Sequence, residues 1–358
     1  MYTNFTMNNI KSFNSLRFFL AVFICLFHAQ GLLANETGFK YFRSAYLAVD
    51  CFFVISGFLL ARSFYLKSLY SENSRSLTDF FISRIKRLYP EYLFCMISLF
   101  VLMRCLNVDV VSAKAFLLNL IMITDVNGIP SMILGAWYVV VLFWLSYFLY
   151  ALMYFFKEKA LQLYIPLLSF SCLFFLTSNS GSVLGHSIPI AGLVSQGVIR
   201  GFLGLSTGIF AYMISDYINK NDWNWINKMK FSFILIFLEL LSIVVLLMLL
   251  CSSKKGNFHD FNIYFVFTFI IILLSYKREF FLRFLSNPVL AKIGNISYIL
   301  YLSHIALMFC LKKYSVFLNM NVALIFVLSI IMSVVFATAL YFFCKLLKFF
   351  IIKQMVVK

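Results

Sequence analysis

Arg17-Phe18-Phe19-Leu20-Ala21-Val22-Phe23-Ile24-Cys25-Leu26-Phe27-His28 places ten residues, all apolar or cysteine, between a cation and an imidazole. On a helix an offset of 11 residues is just over three turns. The two side chains then share one stripe, roughly 16 Å apart along the axis. The apolar run continues on both sides and is long enough to span a bilayer. Ionisable groups inside a membrane are costly and by default mark function. The rest of the chain reads as a scaffold for this helix and its partners.

Composition extends that reading to the whole chain. Of 358 residues, 63% are hydrophobic and only 12% charged, and there are 45 phenylalanines. Mean hydropathy is +0.94. A water-soluble domain does not carry so much apolar surface. Apolar runs near 20 residues recur from end to end, so the expected fold is all-α: a polytopic transmembrane helical bundle forming a single membrane domain over 1–358. No linker rich in Pro, Gly or Ser interrupts it, and no convincing repeat is visible. The N-terminal basic residues, apolar run and Gly-Leu-Leu-Ala ending at Ala34 have the outline of a signal peptide. The length of the run favours a span instead.

Ten spans are expected, near 13–33, 46–66, 88–106, 136–156, 162–178, 190–215, 230–251, 260–276, 290–311 and 321–344. The apolar segment 113–124, between Asp109 and Asp125, is short and reads as interfacial or re-entrant. With the N-terminus inside, the cytoplasmic segments hold 19 of the 30 Lys and Arg and the outer segments 7. Arg17, Arg62, Arg104 and Arg200 fall within or at the edges of spans. This asymmetry follows the positive-inside rule and puts both termini in the cytoplasm. It also accounts for the net charge of +17 without nucleic acid as a partner. The eight cysteines form no Cys-x-x-Cys pair, and the four histidines show no ligand spacing. Small core residues, with no metal, is the reading they support.

Three further groups of residues carry chemistry. Histidine suits proton transfer near neutrality, and the charge count puts His28 towards the outer side of its span and Arg17 towards the inner. The second span opens with Asp50 and contains Ser56-Gly57, a small pair suited to close helix contact. Asp50 has the chemistry to orient a histidine, or it sits in the outer headgroups. Before the third span, Arg84, Lys86 and Arg87 put three cations in four residues at the cytoplasmic surface. They can bind lipid phosphates or clamp an anionic cytoplasmic ligand.

Four fragments together resemble one family. They are Arg17-x10-His28; Phe52-Phe53-x-x-Ser56-Gly57; Arg84-x-x-Arg87 followed by Tyr89-Pro90; and Gly294-x-x-Ser297-Tyr298-x-x-Tyr301-Leu302-x-His304. In this order and spacing they are similar to the acyltransferase 3 family, membrane O-acyltransferases that modify surface glycans. Arg200-x-Phe202-x-Gly204 with Gly208 fits less specifically. Trp137-Tyr138-Val139 has the middle-span tryptophan without the Ser-Leu and glutamates of lipopolysaccharide modifiers, which leaves the acceptor open.

The resemblance implies acetyl-CoA as cytoplasmic acyl donor and a glycan or lipid-linked glycan hydroxyl as acceptor. O-antigen of lipopolysaccharide, capsule and exopolysaccharide are its expected classes, in a bacterial inner membrane among membrane lipids. It implies His28 and Arg17 as catalytic residues and Arg84, Lys86 and Arg87 as the donor's phosphate site. Asp50, Ser56, Trp137, Arg200, Tyr298 and His304 are then candidates for contact with substrate. His28 either acts as base on the hydroxyl or carries the acyl group itself. The alternative is a lipid-linked glycan transporter, flippase or oligosaccharide polymerase, which also has many apolar spans and buried arginines.

Overall fold

Wherever an apolar run exceeds a few turns, the chain closes its backbone hydrogen bonds within a helix, as a hydrocarbon environment requires. The computed structural model describes residues 7–33, 38–69, 75–105, 113–123, 131, 133, 135–190, 194–220, 229–275, 280–314 and 320–356. Asp109, Asp125, Lys228, Lys277, Arg278 and Lys358, used in the charge count or as segment limits, lie outside them. The helices are α1 (Met7–Leu32), α2 (Ala48–Phe64), α3 (Leu77–Cys105), α4 (Ala113–Leu120), α5 (Trp137–Lys159), α6 (Ile165–Asn179), α7 (Gln196–Lys220), α8 (Met229–Leu250), α9 (Asn262–Ser275), α10 (Phe280–Leu285), α11 (Pro288–Gly294), α12 (Ser297–Lys313) and α13 (Val322–Val356). Two short antiparallel strands, β1 (Pro189–Ile190) and β2 (Val194–Ser195), lie before α7.

Seven helical stretches are long and apolar enough to cross a membrane, or eight when α11 and α12, bent by 51° at a break, count as one. One of the seven, from Trp137 to Asn179, has 43 residues. A straight helix of that length would measure roughly 65 Å, twice a bilayer core of about 30 Å. It is not straight. Lys157 has φ 46° and ψ −121°, outside the helical region. The Trp137 ring packs at Gly197, and the Ser180 hydroxyl donates to Gln196 Oε1 at 3.1 Å. Both ends of the stretch therefore meet the start of α7, so α5 and α6 form a hairpin. The count of seven or eight falls short of the ten expected spans at this stretch, expected as two, and at α3 (29 residues, roughly 44 Å), which is not among the seven.

The innermost pair is α2 with α7. A Cβ on Gly57 would collide with the Leu205 carbonyl, and one on Gly208 with the Val54 carbonyl and the Phe58 amide. Glycine is needed at both points because the two backbones touch. Gly208→Val has no side chain to displace, only backbone, so it should cost at least ~3 kcal/mol, the upper range for overpacking. In detergent extracts this should appear as loss of most of the monodisperse protein. An unchanged elution profile and melting temperature would refute the contact.

Around this pair, α1 packs against α2 and against α10–α13, while α5, α6 and α9 cover α7. The α4 segment tucks beside α3 and α5. Tyr92 donates to the Asn119 carbonyl at 3.1 Å, and Trp144 Nε1 donates to the Met122 carbonyl at 2.6 Å. These side chains satisfy carbonyls at the end of an eight-residue helix, which fits a re-entrant segment. Cys25, Cys51, Cys95 and Cys344 are buried core residues, whereas Cys105 is exposed.

Candidate active site

Four arginines come together at the end of α1 that the charge count assigns to the cytoplasm. Arg17, Arg75, Arg84 and Arg87 line one cavity of about 320 Å³ with Asn14, Ser56, Glu91, Tyr138, Tyr298 and Tyr301. Four guanidiniums face one carboxylate there, so the cavity favours an anion. Local packing places them. Phe80 is buried and stacks on Tyr150, with ring centroids 3.9 Å apart and planes at 4°. The guanidiniums of Arg75 and Arg84 sit over Phe80 at 5.3 and 5.0 Å. The negative face of the ring holds two cations that would otherwise repel each other. Arg84 precedes the third span. Burial first, then the nearby guanidiniums of Arg87, Arg75 and Arg17, bring it down to about 9. Phosphate oxygens would relieve that crowding.

Arg17 donates from Nη1 to Asn14 Oδ1 at 3.3 Å. Gly294 lets α11 approach the Asn14 backbone, and Ser15 donates to the Leu285 carbonyl at 2.6 Å. The fourth motif is thereby docked against the start of the first. Tyr298 donates to the Leu88 carbonyl at 3.1 Å, so its hydroxyl ties α12 to α3 while its ring borders the cavity. The hydroxyls of Ser56 and Tyr138 are 3.4 Å apart.

His28 lies outside this cavity, about three turns further along α1. Its ring centroid is 5.2 Å from that of His304, and the Tyr301 ring is 6.0 Å from His304. Tyr301 in turn meets Tyr138 and Phe52 at 5.4 and 6.1 Å. An aromatic partition thus stands between the arginines and the two histidines, with Tyr301 contacting both. On the far side, Lys255 Nζ lies 5.4 Å over the Phe27 ring, next to His28.

Asp50 makes no hydrogen bond to a histidine. It is fully buried, and Arg200 on α7 clamps it with Nε to Oδ1 at 2.7 Å and Nη2 to Oδ2 at 2.5 Å. Tyr264 donates to Oδ1 at 2.7 Å, and Arg200 Nη2 also donates to the Tyr46 carbonyl at 3.1 Å. The Tyr46 hydroxyl donates to Asp260 and accepts from the Gly256 amide at 3.2 Å. Ser44 donates to the Lys254 carbonyl. This network stitches the segment carrying Lys255 to the start of α2. Arg200 also sits 5.2 Å over Trp137, which stacks on His186 at 4.8 Å and 15°. Burial, then Arg200, brings His186 down to about 4, so it packs there as a neutral ring.

The structure therefore brings Arg17, Ser56, Arg84, Arg87 and Tyr298 to one cavity, and His28 to His304. Lys86 is exposed and does not line the cavity. Asp50, Arg200 and Trp137 belong to the network beside the histidines. Arg75, His186 and Tyr264 were not singled out in the sequence, and Tyr138 and Tyr301 stood in quoted fragments without a role. Tyr301 had a usable signal, since it lies one helical turn before His304 on the same face. Arg75 had none, because only Phe80 links it to Arg84.

The acyltransferase 3 model, described as an acyltransferase domain, matches residues 10–342, nearly the whole chain. No curated protein and no solved structure matches it. A helical membrane bundle whose arginine-lined cavity and paired histidines occupy the matched region is what remains to be named: the chain belongs to the acyltransferase 3 family and is a membrane acyltransferase.

Proposed function

We propose that this chain is an O-acetyltransferase that moves acetyl from cytoplasmic acetyl-CoA to a hydroxyl of a cell-surface glycan. We take it to cross the inner membrane ten times with both termini inside. The observation that carries this reading is the polarity of α1: an arginine-lined cavity at one end and a partly buried imidazole at the other. Arg17, Arg84, Arg87 and Arg75 hold the donor's phosphates as charge-assisted pairs. The thin arm of coenzyme A then reaches past Tyr138 and Tyr301 towards His28. Arg17 shares its helix with His28.

His28 takes the proton of the acceptor hydroxyl as its oxygen attacks the thioester carbon. The carbon–sulfur bond breaks, and the thiolate recovers the proton from His28. An acyl-histidine route would instead leave the acyl group on the protein for a moment, so label on protein after a rapid denaturing quench near neutral pH, lost on brief acid treatment, separates the two.

The test is mass spectrometry of surface glycan with and without the protein, together with transfer from labelled acetyl-CoA in isolated membranes. A mass increase of one acetyl per modified unit is expected. Glycan that loses export or chain length instead, with no change in acetylation, would favour the flippase or polymerase reading. Arg84→Ala and Arg87→Ala should each raise the KM for acetyl-CoA about 10- to 100-fold, the range for losing one hydrogen bond to a charged group. Lys86→Ala should leave it within about twofold, because Lys86 does not reach the cavity.

A further inference from the structure

One buried polar atom beside His28 has no partner. His304 is 1% exposed, and its Nδ1 donates to the Leu300 carbonyl at 3.0 Å. A carbonyl only accepts, so Nδ1 carries the proton and Nε2 of the neutral ring is a lone pair. That Nε2 is buried and makes no hydrogen bond. Leaving such an acceptor unsatisfied is unfavourable, and proteins retain one mostly where something else completes it. Tyr301 cannot, since its hydroxyl donates to the Gly135 carbonyl at 2.5 Å. The ring nearest to His304 is His28, at 5.2 Å, with a 53° tilt between planes. Two imidazoles at this spacing, with no direct bond between them, match the reach of two adjacent hydroxyls, one to each ring.

We propose that His304 positions the acceptor: its Nε2 accepts a hydrogen bond from the hydroxyl next to the one His28 deprotonates. The acceptor is accordingly a sugar unit with two adjacent free hydroxyls, of which one is acylated. The neighbouring hydroxyl keeps its proton throughout. Only the attacking oxygen forms a bond to the acyl carbon, and only the thioester bond breaks. This rests on the reading of His28 as the base. It adds a substrate class: a vicinal diol, which a site with one histidine would not require.

Three substitutions of His304 separate positioning from structure. Asn can reproduce the Nδ1 donor to Leu300 but not the Nε2 acceptor. Gln can place an oxygen near Nε2 but loses the Nδ1 donor. Phe keeps only the shape. In isolated membranes with labelled acetyl-CoA, His304→Asn and His304→Phe should lower transfer to endogenous glycan at least about 10-fold, and His304→Gln should recover a substantial part. Protection of each purified variant by acetyl-CoA against thermal unfolding should equal that of wild type, because the arginine cavity is untouched. The reverse order, with Asn active and Gln inactive, would show that the Leu300 bond is what counts and would overturn the proposal. So would equal activity, or equal loss, in all three.

A second arm uses the acceptor. Mild periodate, which opens vicinal diols, should abolish label incorporation when applied to the glycan before assay; full incorporation would overturn the proposal. His28→Ala, run in parallel, distinguishes the failures. If it is active, the base reading falls. If it is inactive while the His304 series is flat, only the positioning role falls.

Discussion

Membranes carrying His28→Ala at wild-type abundance should transfer acetyl from acetyl-CoA at least about 100-fold more slowly, within the 10²- to 10⁴-fold range for losing a general base. The loss should lie in kcat. The four arginines line a cavity that excludes His28 and is separated from it by the Phe52, Tyr138 and Tyr301 rings. Donor affinity, read as protection against thermal unfolding by acetyl-CoA, should stay as in wild type. Arg17→Ala gives the opposite pattern, weakening donor binding first, because Arg17 lines the cavity. A His28→Ala protein that inserts, accumulates and transfers at the wild-type rate would remove the proposed chemistry.

Arg200→Met should be the most destabilising single change among these residues. It would leave Asp50, 0% exposed, with only the Tyr264 hydroxyl as partner. Breaking one side of a buried ion pair typically costs ~3–5 kcal/mol, because the remaining charge is left uncompensated. For a chain of this size that corresponds to a melting temperature lower by about 4–7 °C. Removing both charges, as in Asp50→Leu with Arg200→Met, should restore most of the stability, since an apolar pair can replace a buried ion pair. The comparison also tests what the network is for. Through Tyr46 and Asp260 it fastens the segment bearing Lys255 beside His28. If the double variant is stable yet slow, the network serves to hold the acceptor side in place. Equal melting temperatures for wild type and Arg200→Met would contradict the clamp.

The two clusters differ in how they are stabilised. At the arginine-lined end, like charges are held by the face of Phe80, which itself is fixed by stacking on Tyr150. Such a cluster has capacity for an anion. At the histidine end, the charges of Asp50 and Arg200 satisfy each other, and the polar atom left with capacity against His28 is His304 Nε2. One site is built to take negative charge, the other to take hydrogen bonds from a neutral group. That division is what the proposed transfer from a coenzyme A thioester to a hydroxyl would use.

The sequence by itself determined the class of fold and the axis of the site. Apolar runs of 20 residues have one way to satisfy their backbone in lipid, so helices were dictated. The 11-residue offset put Arg17 and His28 on one stripe of α1, and the charge asymmetry gave that stripe a direction. Gly57 was legible as a packing contact because only a small residue lets helices touch. Helical periodicity fixes which residues share a face, but not which faces meet. Asp50 and Arg200 are 150 residues apart, and His28 and His304 sit on the first and twelfth helices. Only the tertiary structure pairs them. It also places Asp50 in a buried ion pair, and it puts Arg75 but not Lys86 at the arginine-lined cavity. The reason is the same in each case: a cation's role depends on the ring or carboxylate it meets across the bundle, and that partner is distant in sequence or carries no motif.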